Sequence, residues 1–279
     1  MQPGQPSQTA LGAAMLRAAH QVLDGGSILA DPLAVRILGA QEAAWLDQAQ
    51  AHPMGPRLRW FIAARSRIAE EALIVAVGNG ATQLVVLGAG LDTLAYRTPL
   101  ASRLRIFEVD HPATQAWKRD LLTSAAIEVP GSVSFVAVDF ERETLADALD
   151  AAGLDRGQRS FFSWLGVVPY LTEQAVFSTL ATIARLPGGA DVVFDYVNPA
   201  ASIAPASRAA HQALAERVAS VGESLQSYFD TERLCADLRG IGFGAIDDID
   251  PTRLAARFFP EAERAAPARG GHILHAATV

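Results

Sequence analysis

A chain of 279 residues, half of them hydrophobic and only 19% charged, is long enough to bury a substantial core and too apolar to remain disordered. Its 23 basic and 30 acidic residues leave a formal charge of -7, which offers no basic footprint for nucleic acid. The single cysteine, Cys235, excludes an internal disulfide, and no Cys-x-x-Cys or His-Glu-x-x-His spacing marks a metal centre.

The opening stretch MQPGQPSQTA has neither a basic region nor an apolar core of the secretory kind, and no run of about 18 apolar residues occurs anywhere. A reducing, cytoplasmic setting without membrane insertion is expected. Taken in chain order, residues 1–80 show no alternating strand, but ALGAAMLRAAHQVL, DPLAVRILG and RLRWFIAARSRIAEEALIVAV place apolar residues at helical spacing. They predict a helical cap. From residue 81 onward the period changes, and strands are expected at 83–88, 104–109, 133–138, 159–165 and 190–197, separated by helical segments. Such alternation predicts an α/β fold with a parallel sheet.

A polar, helix-prone stretch at 202–227 then interrupts the pattern, as a lid inserted over one end of the sheet would. Two further strands, 243–249 and 272–278, have only a short helical candidate between them and read as a terminal antiparallel pair. Cys235, in TERLCADLRGIGF with Leu234 and Leu238 on the same helix, reads as a small core residue.

The chemistry concentrates at strand ends. LVVLGAGLDTLAYR runs from an apolar strand into Gly88, Ala89 and Gly90, a turn that lets backbone approach a ligand before a helix N-terminus. A dinucleotide fingerprint would place glycine at 93, where this chain has Thr93, which disfavours an NAD(P)-dependent oxidoreductase. The second strand ends in FEVDHP, setting Glu108 and Asp110 about 20 residues beyond Gly88, the spacing of a carboxylate that accepts ribose hydroxyls. Asp110 before His111 and Pro112 is equally a helix N-cap. The third strand ends in VAVDFE, where Asp139 could accept from an adenine amino group and Phe140 could pack on its ring; capping the next helix is the alternative reading of Asp139.

Together these describe an adenosine site without a pyrophosphate grip, which suits S-adenosylmethionine, a ligand with a carboxylate and no phosphate. Arg65 and Arg17, both in the helical cap, are the candidate cations for that carboxylate, against the alternative of solvated helix faces.

The set ILADPLAVRILG, AARSRIAEEAL, QLVVLGAGLDTLAYR, FEVDHPATQAWKR and WLGVVPYLTEQAV resembles the leucine carboxyl methyltransferase family, which includes bacterial polyketide carboxyl O-methyltransferases. The resemblance implies a class I methyltransferase (Rossmann-like) fold, with a mostly parallel seven-stranded sheet, an antiparallel last strand, an N-terminal helical cap and a lid after the fifth strand. It implies that Arg65 meets the methionine carboxylate, that Gly88, Ala89 and Gly90 lie along the methionine moiety, that Asp110 binds ribose, and that Asp139 and Phe140 contact adenine. Arg17 falls near a basic family position. Where many members read Glu-Gly-Val after the fourth strand, this chain has Leu165, Gly166 and Val167. A carboxylate for the cofactor's amino group is therefore absent there, although a backbone carbonyl can accept the same N–H.

The expected function is O-methylation of a small-molecule acceptor, a carboxylate being favoured and a hydroxyl open, with S-adenosylhomocysteine as product. A carboxylate is already ionised and needs no general base, whereas a phenol or alcohol benefits from one. His20 and His211 are candidate bases, and Tyr170 a candidate for orienting the acceptor. Trp60, Phe61 and Trp164 suit either an apolar acceptor or the core. The rivals are the oxidoreductase and a non-catalytic member that retains cofactor binding.

Overall fold

The computed structural model describes residues 7–39, 42–51, 55–138, 143–202, 205–220, 224–261 and 271–278. Among the described residues four helices precede the first strand: α1 (Gln8–Leu23), α2 (Leu33–Leu38), α3 (Glu42–Gln50) and α4 (Gly55–Gly78). Short polar side chains start two of them. The Ser7 hydroxyl accepts from the Ala10 N–H at the head of α1, and Asp31 Oδ1 accepts from the N–H groups of Leu33 and Ala34 at the head of α2.

The sheet then alternates with helices: β1 (Gln83–Leu87), α5 (Leu94–Arg97), β2 (Arg105–Asp110), α6 (Pro112–Ser124), β3 (Val133–Ala137), α7 (Leu145–Ala151), β4 (Ser160–Trp164), α8 (Glu173–Ala184) and β5 (Ala190–Tyr196). After β5 come α9 (Pro205–Ser220), α10 (Thr231–Ile241), β6 (Ala245–Ile249), α11 (Pro251–Phe258) and β7 (His272–Ala277). Each strand expected from the sequence is present, with ends shifted by a residue or two. α9 occupies the polar insertion, and α11 is the short helix between the last two strands.

The strand order is β3-β2-β1-β4-β5-β7-β6, with β7 antiparallel to both neighbours and the other pairings parallel. This is the class I methyltransferase arrangement. The chain leaves β1 toward β2 on one side and later returns to lay β4 on the other, so the order reverses between β1 and β4. In open α/β sheets the crevice beyond the carboxyl ends of such strands is where ligands bind.

Side-chain alternation divides the core between the two sheet faces. Leu84, Val86, Ile106, Phe161 and Val193 meet the cap helices, while Val85, Leu87, Phe107, Phe162, Val192 and Phe194 meet α7, α8 and α10. Strands β1, β4 and β5 are buried throughout, which explains their unbroken apolar runs; the edge strand β6 is largely open. Trp60, Phe61 and Trp164 belong to this core. Cys235 is half-buried against the α10 side, where burial pushes its thiol pKa up. Among the described residues no helix is long and apolar enough to cross a membrane, and no group of histidine, cysteine and carboxylate side chains could hold a metal ion.

Candidate active site

The glycine turn follows β1 and opens onto the switch point. Gly88 has φ +62°, and a Cβ there would lie 2.3 Å from Val167 Cγ2, so a side chain is excluded by conformation and by contact. Beyond β4, Gly166 has φ +73°, and its Cβ position is only 2.6 Å from Nη2 of Arg65. The ends of β1 and β4 thus approach each other through backbone, and α4 delivers a guanidinium between them and β5.

Asp110, at the end of β2, turns its carboxylate toward this loop. Oδ2 accepts from the Gly90 N–H at 2.6 Å and Oδ1 from the His111 N–H at 2.7 Å. Burial pushes the carboxyl above its ordinary pKa, and these two donors oppose that shift. A carboxylate offers about four acceptor positions, so two are left for further donors such as ribose hydroxyls. The cap of α6 is His111 instead, whose Nδ1 accepts from the Ala113 N–H at 3.2 Å. Asp110 is therefore not the N-cap that the motif alone also allowed.

Glu108, its neighbour on β2, is fully buried. Lys118 Nζ on α6 lies 2.8 Å from Glu108 Oε1, and the Tyr96 hydroxyl donates to Oε2 at 2.6 Å. The same ammonium reaches the Ala89 carbonyl at 3.4 Å, so the pair props the glycine turn from beneath. On the cap side, Thr93 donates to Asp31 Oδ2 at 2.6 Å, Arg97 Nε donates to Thr93, and Arg97 pairs with Glu70. The threonine that departs from the dinucleotide fingerprint is thus a tie between loop and cap.

Arg17 enters this network from α1. It is buried, with Nε 2.9 Å from Asp31 Oδ2 and Nη2 donating to the Leu91 carbonyl at 2.5 Å. Its charge, with those of Lys118 and Arg97, brings the Asp92 carboxyl below its ordinary pKa although burial acts the other way. Arg17 therefore holds the loop after the glycine turn, and its guanidinium is already engaged. Arg65 stands apart from this network. Its Nη1 lies 3.0 Å from Asp195 Oδ2 at the end of β5, and its guanidinium carbon lies 5.9 Å from the Phe61 ring centre.

His20, one of the two candidate bases, is built into the cap. Nδ1 lies 2.8 Å from Asp24 Oδ2, while Nε2 accepts from the N–H groups of Ile28 and Leu29 at 3.1 and 3.4 Å. That pattern requires the neutral ring with its proton on Nδ1. Burial lowers its pKa further, against the pull of Asp24. His20 is a core histidine, not a base facing the crevice. His211 lies on α9, and its side chain is outside the described residues.

Leu165 is half-buried and packs against the cap-side core, offering the crevice no carboxylate. Tyr170 ends a 3-10 turn at Val168–Tyr170, and its carbonyl accepts from Gln226 Nε2 at 2.8 Å. Pro169 and Val168 accept in the same way from Gln226 N–H and the Ser227 hydroxyl, so the return arm of the insertion is fastened to the end of β4. Asp139 and Phe140 lie outside the described residues. The helix that Asp139 was alternatively expected to cap begins only at Leu145, with Thr144 as its cap.

Sequence reasoning missed Asp195, Lys118 and the Asp31 to Glu70 network. An aspartate interrupting the apolar run after Val192, Val193 and Phe194 was the available sign for Asp195. Lys118 carried none, because a lysine on an amphipathic helix ordinarily faces water.

A family model described as leucine carboxyl methyltransferase matches residues 10–184. The chain belongs to the leucine carboxyl methyltransferase family. This methyltransferase is 32% identical over 217 residues to YktD of Bacillus subtilis, a candidate S-adenosyl-L-methionine-dependent methyltransferase, the match covering 77% of this chain and 69% of that one. A candidate methyltransferase of the same cofactor class from Saccharopolyspora erythraea is 31% identical over 181 residues, covering 64% of this chain and 62% of its own. Among solved structures, a candidate methyltransferase from Thermobifida fusca superimposes with a TM-score of 0.58 at 15% identity, over 99% of this chain and 96% of that one, which supports the fold. The cofactor is S-adenosylmethionine and the reaction class is methyl transfer. The residues present suit that cofactor: Gly88 and Gly166 leave no room for a side chain where the ends of β1 and β4 meet, the Asp110 carboxyl is bonded to the glycine turn, and Arg65 brings a cation to the ends of β4 and β5.

Proposed function

We propose that the protein is an O-methyltransferase acting on a small-molecule acceptor, most readily a carboxylate. The observation that carries this reading is the pairing of two ends of one crevice. Asp110 is bonded to the glycine turn with acceptor positions to spare, and Arg65 is held at the mouth of β4 and β5. In this reading Asp110 holds the ribose, Gly88, Ala89 and Gly90 lie along the methionine chain, Arg65 receives its carboxylate, and Asp139 and Phe140 serve the adenine. Arg17, Lys118 and Thr93 keep the loop in shape.

When bound, the cofactor supplies an electrophilic sulfonium methyl. This chain's contribution is to align the acceptor with it and exclude water. A carboxylate acceptor is supported by the engagement of His20 in the cap and by the fact that a carboxylate needs no deprotonation at neutral pH. In this reading the α9 insertion, whose return arm is tied to Val168, Pro169 and Tyr170, serves as a lid over the acceptor, with Tyr170 to orient the acceptor and His211 as the candidate base.

The test begins with isothermal titration of S-adenosylhomocysteine into protein shown by mass spectrometry to be cofactor-free. One-to-one binding is expected. Incubation with S-adenosylmethionine and a panel of apolar carboxylic acids and phenols then reads the acceptor. Products gaining one methyl that is lost again in mild alkali are esters, and alkali-stable products would overturn the carboxylate assignment.

A further inference from the structure

The amino-acid end of S-adenosylmethionine is a zwitterion, so its site needs a cation for the carboxylate and an acceptor for the ammonium. Arg65 supplies the cation. At Leu165 only the backbone carbonyl is available for the ammonium, but a carboxylate stands beside it on the next strand. Strands β4 and β5 run parallel with Trp164 opposite Phe194, and one step further along each are Leu165 and Asp195.

Asp195 is 5% exposed and points to the cap side of the sheet, the same side as Val193. Its Oδ1 accepts from the Gly166 N–H at 2.5 Å, and its Oδ2 lies 3.0 Å from Arg65 Nη1. Those contacts use two of about four acceptor positions on the carboxylate. Gly166 and Val167 border the glycine turn, Val167 lying against Gly88, so the pair sits at the methionine side of the crevice and away from Asp110. A buried ion pair at this place has the charges of the ligand's zwitterion in reverse.

We propose that Asp195 takes the ammonium of the cofactor's amino-acid end while Arg65 takes its carboxylate, the pair forming a clamp that replaces a carboxylate at position 165. The inference rests on the cofactor reading above. Loss of one charge-assisted hydrogen bond, at about 1.5–3 kcal/mol, corresponds to about 10- to 100-fold in affinity.

The experiment is titration of the full chain with S-adenosylhomocysteine and with 5′-S-(3-carboxypropyl)-5′-thioadenosine, which keeps the carboxylate and lacks the ammonium. Wild type should bind the second ligand about 10- to 100-fold more weakly. Asp195→Asn, which keeps an oxygen for Gly166, should lose that preference by weakening S-adenosylhomocysteine alone, and Leu165→Glu added to it should restore the preference.

Equal binding of both ligands by wild type would overturn the clamp without recourse to any variant. If Asp195→Asn weakened both ligands alike, Asp195 would act only by orienting Arg65. If it changed neither, the Leu165 carbonyl would be the acceptor. Failure of wild type to bind either ligand would overturn the cofactor reading itself, and the clamp with it.

Discussion

Replacing Lys118 by methionine tests how the glycine turn is supported. Lys118 and Glu108 are each 1% exposed, so removing the ammonium strands a carboxylate in the core with only the Tyr96 hydroxyl bonded to its side chain. Breaking a buried pair from one side costs about 3–5 kcal/mol. The cost should depend on pH. Burial pushes the Glu108 carboxyl above its ordinary pKa, and Lys118 holds it down. Without Lys118 the folded-state value rises further. A raised carboxyl contributes stability that is present below the unfolded value, near 4.5, and lost as pH rises through the folded value. The deficit of Lys118→Met relative to wild type should therefore shrink as pH falls from about 8 to about 5. Urea unfolding followed by circular dichroism at each pH measures it. The double variant Glu108→Gln/Lys118→Met should recover most of the loss, because an uncharged pair leaves no stranded charge. A single-variant cost below about 1 kcal/mol, or a double variant as unstable as the sum of the singles, would refute the reasoning.

Other substitutions address the turn, the Asp110 carboxylate, the cap histidine and the loop threonine. Gly88→Ala should cost about 2–5 kcal/mol, combining left-handed strain with overpacking against Val167, and Val167→Ala should relieve the overpacking part in urea unfolding. Asp110→Ala should weaken S-adenosylhomocysteine binding by about 1–3 kcal/mol in titration, whereas unchanged affinity in a folded variant would leave Asp110 as a brace for Gly90 and His111 only. His20→Leu leaves two backbone N–H groups without their acceptor and should cost at least about 1–3 kcal/mol. Its pH signature follows from the lowered pKa: stability from a neutral buried ring is present above 6.5 and lost as pH falls toward the folded value, so the variant should show a flatter acid limb in thermal melts than wild type. Thr93→Gly, although it recreates the dinucleotide spacing, should destabilise the protein by about 0.5–1.5 kcal/mol or more through loss of the Asp31 bond, and differential melting should show no stabilisation by NADH.

The sheet was legible because burial on both faces writes itself as unbroken apolar runs, as at Leu84 to Leu87 and Val192 to Phe194. The glycine turn and Asp110 were legible because their spacing is local. What stayed hidden depends on partners far apart in sequence. Asp31 meets Thr93 across 62 positions, and Arg65 meets Asp195 across 130. No periodicity marks such pairs. His20 was ambiguous for a related reason: helical spacing places it on α1 but does not reveal that the Ile28 and Leu29 N–H groups fold back onto its ring. The N-cap of α6 moved by one residue to His111 because Asp110 is held by Gly90, a contact that joins two different strand ends.

These hidden contacts bear on how the fold commits to one ligand. In a dinucleotide site the third glycine lets helix and strand pack closely behind a pyrophosphate. Here Thr93 at that position reaches outward to Asp31, and Arg17 and Arg97 converge on the same carboxylate. The loop after the glycine turn is thereby joined to a cap that precedes β1, and the cap also carries Arg65. In the proposed cofactor reading, this joining of loop and cap sets the glycine turn relative to Arg65. Positioning of this kind is most of what an in-line methyl displacement asks of a protein, since the reactive carbon arrives with the cofactor. The structure provides it with buried ion pairs, which are costly to desolvate, on both sides of the loop. Their retention beside the crevice is more readily understood as holding geometry than as adding stability.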